Sequence, residues 1–176
     1  MCGIVFAYDF SNNGIDFKTI KNMNDELSHR GPDDEGYLFL NNENSLVQSY
    51  SHKSLLKDLP KDHDASKFNI AMGHSRLSIL DTSSLGHQPM KTNDGKYIIV
   101  FNGEIYNFLE LRNELIELGA SFTSNSDTEV ILKAYQHYGE ECVQKFNGMW
   151  ALIIVDLNKK EIFISRDRFG KKPLFY

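Results

Sequence analysis

The sequence predicts an α+β domain in which antiparallel hairpins alternate with helices that pack on the sheet faces. Three observations carry that prediction. Runs such as "CGIVFAY", "YIIVFNG" and "MWALIIVD" are apolar, rich in β-branched residues and of strand length. Two pairs of such runs are joined by short polar turns, "NNEN" and "LNKK". Between them stand segments with one apolar stripe at helical spacing and recognisable start and stop residues.

The first strand, "CGIVFAY", is apolar enough to be covered on both faces. "NNG" ends it, and Asp16 starts a helix whose buried stripe is Phe17, Ile20, Met23 and Leu27. Gly31 and Pro32 in "HRGPDDEG" stop that helix and open a loop. "YLFL" and "SLVQSY" form a hairpin, and the lysine-rich residues 51–67 read as a surface excursion. "FNIAMGHSRLSIL" resumes strand character, and "GHQPMKTNDGK" is loop and turn. "YIIVFNG" is a strand ending at Gly103. A helix follows from about Asn107, with Phe108, Leu111, Leu115 and Leu118 buried and Gly119 as its stop. "SDTE" predicts a capping box in which Ser126 caps and Glu129 reaches back. The helix behind it buries Val130, Ile131, Ala134, Tyr135 and Tyr138 and ends at Gly139. "MWALIIVD" and "EIFISR" make the last hairpin. No internal repeat or low-complexity linker interrupts the pattern.

At 176 residues the chain fits one domain able to bury a core, and its 41% hydrophobic and 24% charged residues are ordinary globular usage. Net charge is −5, and no basic stripe marks a helix, which argues against nucleic acid. No apolar stretch approaches bilayer length and no signal peptide is visible, so a cytoplasmic protein is expected. Cys2 and Cys142 are then thiols rather than a disulfide. There is no phosphate-cradling glycine loop, and the six histidines show no metal-ligand spacing.

Four stretches could carry chemistry, each with a plainer alternative. Cys2 is either a small apolar residue of a first strand or, once Met1 is removed, a nucleophile bearing a free α-amine. Arg76 offers a planar fork suited to a carboxylate, or is a surface arginine at a strand end. Asn102 and Gly103 could place two donors on one oxygen, or form an ordinary Asn-Gly turn. Asp127 could pair with a ligand ammonium, or simply favour a helix N-terminus. Cys142 is most simply a core residue.

Taken in order, "MCGIV", "HRGPDDEG", "RLSILD", "FNGEIYN", "SDTEVIL" and "ISRDRFGKKPLFY" resemble the glutaminase domain of the glutamine-hydrolysing asparagine synthetases. That domain is a class II, N-terminal-nucleophile glutamine amidotransferase. The resemblance runs from Met1 to Tyr176, with residues 51–67 as the departure from the family pattern. It implies a four-layer αββα sandwich of two antiparallel sheets. It further implies that Arg76 holds the glutamine α-carboxylate while backbone groups of Leu77, Ser78, Ile79 and Leu80 line the pocket. Asp127 with Glu104 would hold the α-ammonium, and Asn102 and Gly103 the oxyanion. Residues 1–176 would be the glutaminase half of a longer chain whose ATP-dependent synthetase domain lies elsewhere.

In that reading the α-amine of Cys2 is the base. Its reference pKa near ~8 leaves enough neutral amine at pH 7, whereas a Met1–Cys2 amide has no useful basicity. The expected partners are glutamine and the synthetase domain of the same polypeptide, with a homodimer as a further option, and neither nucleic acid nor membrane. No cofactor is expected in this chain; ATP and Mg belong to the synthetase domain. Two other functions compete: a silent glutamine-binding regulatory module, and the amidotransferase module of a sugar- or antibiotic-modifying synthetase.

Overall fold

The computed structural model describes residues 1–11, 13–41, 46–50 (backbone only) and 68–176. Residues 42–44 of the "NNEN" turn and the 51–67 excursion expected from the sequence lie outside the described residues. The chain forms two compact units. The first comprises Met1–Ser78 with His87–Pro89, and the second Ile79–Gly86 with Met90–Tyr176.

The first unit is a four-stranded antiparallel sheet with one helix. Its strands are β1 (Gly3–Tyr8), β2 (Asp34–Leu40), β3 (Leu46–Tyr50) and β4 (Ile70–Arg76), in the order β1-β4-β2-β3. The hairpin of β2 and β3 pairs Gly36 with Tyr50 and Leu40 with Leu46, as the sequence predicts. Among the described residues β1 lies at the sheet edge and pairs with β4 alone, in the register Gly3 to Ser75 through Tyr8 to Ile70. Its two faces are not covered alike, as its composition suggests they would be: Gly3 and Val5 are buried, while Ile4 and Phe6 are half-buried and Tyr8 is exposed.

Helix α1 (Phe17–Asp25) starts where expected, with the Asp16 carboxylate accepting from Thr19 N at 2.8 Å. Its buried face differs. Ile20 and Asn24 are enclosed, Phe17 and Met23 are exposed, and Leu27 lies beyond the helix. Asn24 is buried because it has polar partners inside, donating to the Tyr37 hydroxyl at 3.2 Å and the His74 carbonyl at 3.5 Å. The core under the helix is Val5, Ile15, Ile20, Tyr37, Phe39, Phe68 and Ala71.

The second unit is a sheet of β5 (Met90–Lys91), β6 (Tyr97–Ile105), β7 (Gly148–Asp156) and β8 (Glu161–Arg166), in sequence order and antiparallel. The final hairpin is as predicted, but Met90–Lys91 within the expected loop is a short strand. β6 does not stop at Gly103: Glu104 pairs with Met149 and Ile105 with Gly148. Helices α2 (Phe108–Glu117) and α3 (Asp127–Tyr138) bury Leu111 and Leu115, and Val130, Ile131, Ala134 and Tyr135, into one cluster with Ile99, Phe101 and Leu152. Leu118, expected in that stripe, is 51% exposed because α2 ends before it. Cys142 is fully buried in this core, and burial pushes its thiol up to about 12.

Candidate active site

Cys2 is the residue before the edge strand. Its sulfur accepts a hydrogen bond from the Leu77 N–H at 3.4 Å, and its own proton points to the Leu77 carbonyl at 3.8 Å. The Leu77 residue thus meets the sulfur with both its N–H and its carbonyl. Both cysteines are free thiols.

Two residues hold the Cys2 backbone and the stretch beside it. Arg30 donates from Nε to the Cys2 carbonyl at 3.1 Å. The backbone N–H of Asp33 donates to the Arg76 carbonyl at 3.0 Å, and its carboxylate accepts from Ser78 N at 2.8 Å. Leu77 is thus bracketed on both sides. Gly31 makes this possible, since a Cβ there would meet Ser75 C and O at 2.3 Å and Arg76 N at 2.5 Å. Sequence reasoning found the "HRGPDDEG" motif but gave Arg30 and Asp33 no role, and its loop is shorter than expected because β2 begins at Asp34. Arg76 closes β4 and is 4% exposed, which excludes the surface-arginine alternative. Cys2, Arg76, Leu77 and Ser78 all belong to the first unit.

The second unit holds the other candidates. Asn102 and Gly103 lie inside β6, not in a turn, so the Asn-Gly turn reading is wrong. The Asn102 side chain is buried, and its Oδ1 has no hydrogen-bond partner among the described residues. Gly103 is packed so closely that a Cβ would sit 2.2 Å from Met149 O and 2.6 Å from the Phe101 ring. Glu104 is half-buried beside it. Asp127, at the start of α3, accepts from Ile105 N through Oδ2 at 3.1 Å. The end of β6 and the first turn of α3 therefore bring Asn102, Gly103, Glu104 and Asp127 into one neighbourhood. Burial raises the Asp127 carboxyl to about 6, against the backbone hydrogen bonds of Ile105 and Thr128 and with the Glu104 charge adding.

Ser126 caps α3 by accepting from Glu129 N at 3.2 Å. Glu129 does not reach back to Ser126. Its carboxylate accepts from Thr123 N at 2.9 Å, and from Ser124 N and Ser124 Oγ at 2.6 Å each. The effect is to fix the loop ahead of Asp127. In this unit Leu80 is half-buried and Ile79 is 60% exposed. Among the described residues no group of three or more His, Cys, Asp or Glu could hold a metal, and no helix is long and apolar enough to cross a membrane.

This fold is one that solved amidotransferases share. The glutamine PRPP amidotransferase of B. subtilis, solved with ADP and GMP, shares it with a TM-score of 0.66 at 21% identity, over 96% of this chain and 37% of that one. The family "Glutamine amidotransferase domain" matches residues 58–176, and the chain belongs to that family. It is 40% identical over its whole length to a putative glutamine-hydrolysing asparagine synthetase 2 of Methanocaldococcus jannaschii, and 38% identical to glutamine-hydrolysing asparagine synthetase 1 of Bacillus subtilis. It spans only 32% and 24% of those two proteins. The chain is thus an enzymatic glutamine amidotransferase domain, homologous to the glutaminase part of asparagine synthetases.

Proposed function

We propose that the domain hydrolyses glutamine to glutamate and ammonia through a thioester on Cys2. The observation that carries this reading is the Leu77 N–H donated to the Cys2 sulfur. It supplies a polarising partner to a thiol that has no other assigned role. With Met1 removed, the α-amine of Cys2 takes the thiol proton and the sulfur attacks the amide carbon. The Asn102 amide and the Gly103 N–H hold the resulting oxyanion. The proton passes to the departing nitrogen, ammonia leaves, and water cleaves the γ-glutamyl thioester. Arg76 holds the α-carboxylate through a bidentate pair, and backbone groups of residues 77–80 line the pocket. Asp127, with Glu104, holds the α-ammonium, which fixes the amide carbon for attack.

In the full-length protein, the ammonia serves an ATP-dependent amidation of aspartate to asparagine by a synthetase domain outside residues 1–176. The names of the relatives support that acceptor. The domain itself uses no cofactor, with ATP and Mg confined to the synthetase domain, and it acts in the cytoplasm. A glutaminase assay tests the core of the proposal. Wild-type protein is expected to release glutamate and ammonia in equal amounts. Cys2→Ala is expected to release neither, while calorimetry still shows glutamine binding. Hydrolysis that survives in Cys2→Ala would remove the thioester from the mechanism.

A further inference from the structure

Asp81 is used by none of these steps, yet its carboxylate is fully committed. It follows the "RLSIL" stretch and adopts φ +48°, a left-handed conformation that aspartate tolerates better than most residues. Oδ1 closes the local turn, accepting from Ser83 N at 3.2 Å and Ser83 Oγ at 2.5 Å. Oδ2 does something a turn does not need. It accepts from the backbone N–H of Asn125 at 2.7 Å, across 44 positions of sequence.

Asn125 lies two residues before Asp127. The loop that carries it is held on its other side as well: Glu129 binds Ser124, and Arg112 Nη1 donates to the Ser124 carbonyl at 2.8 Å. Asp81 therefore moors the end of the 79–81 stretch to a loop that is already fixed. Asp81, Asn125 and Asp127 all belong to the second unit.

We infer that Asp81 is a positioning residue for substrate binding, setting the distance between the pocket-lining groups of Ile79 and Leu80 and the Asp127 carboxylate. These are groups that the proposed function places around the bound glutamine, and the inference rests on that reading. A residue of this kind acts on ground state and transition state alike. Its loss raises KM and leaves kcat nearly unchanged.

Asp81→Gly tests this cleanly, because glycine keeps the left-handed conformation and removes both acceptors. Glutaminase kinetics should show KM for glutamine raised about tenfold with kcat within about threefold of wild type. Asp81→Asn keeps one acceptor oxygen and should fall between the two. A folded Asp81→Gly protein with wild-type KM overturns the inference. So does a fall in kcat at constant KM that tracks the folded fraction seen by circular dichroism. Should the glycine variant not fold, Asp81→Asn decides alone: a raised KM at wild-type kcat supports the role, and an unchanged KM overturns it. Wild-type protein with no glutaminase activity would instead defeat the proposed function, and the inference would fall with it.

Discussion

Asp127 shows how a binding group is maintained at a cost to the fold. Its carboxyl is raised to about 6 from an ordinary value of 3.8, so the folded state takes up a proton that the unfolded chain does not. The sign follows. This group's contribution to stability is greatest below the unfolded value and is lost as pH rises through about 6, an effect on the order of 3 kcal/mol. Binding runs the other way, because an ammonium needs the carboxylate. KM for glutamine should be flat above pH 7 and climb about tenfold per unit below pH 6, and Asp127→Ala should raise KM and abolish that climb. Asn102→Ala should behave differently, lowering kcat by roughly two to three orders of magnitude with KM changed much less. Steady-state kinetics across pH on the two variants check both patterns. A folded Asn102→Ala protein with normal kcat would remove Asn102 from the oxyanion site.

At the scale of elements, the strand–helix order was legible because apolar runs and caps are local signals. Asp16, Ser126, Gly119 and Gly139 punctuate the helices as their residue types suggest. What escaped was decided by partners far away in sequence. Asn24 turns inward because Tyr37 and His74 meet its amide. β6 runs two residues past Gly103 because β7 continues to pair with it. The identities of Cys2, Arg76, Asn102 and Asp127 were readable as motifs, whereas Arg30, Asp33 and Asp81 act through backbone atoms that no motif displays. Gly31 belongs to the same class and offers a test. A methyl there would press on the backbone of Ser75 and Arg76, which cannot yield without moving Leu77 away from the thiol. Gly31→Ala should therefore lower the melting temperature and depress glutaminase activity more than the folded fraction accounts for. Thermal denaturation alongside kinetics would show it, and full specific activity at a normal melting temperature would contradict it.

For the whole molecule, the chain covers about a third or less of the length of its curated relatives. Within residues 1–176 the proposed mechanism depends on removal of Met1, which stands 54% exposed ahead of Cys2. Protein shown by mass spectrometry to retain Met1 should bind glutamine and fail to hydrolyse it, because its Cys2 nitrogen is an amide without basicity. Full activity in such protein would mean another base serves the thiol.

The edge strand β1 gives this arrangement a ruler. Cys2 sits one step ahead of the pair formed by Gly3 and Ser75, and Leu77 two steps beyond that same pair. The address of the sulfur is therefore counted out along the ladder, in increments of about 3.3 Å per residue. Deleting a single residue within β1 would slide the count by one. It would also turn every following side chain to the opposite face, since alternation along a strand has a period of two. The chain end is the least anchored part of most proteins, and here the pairing of β1 with β4 makes it one of the best measured.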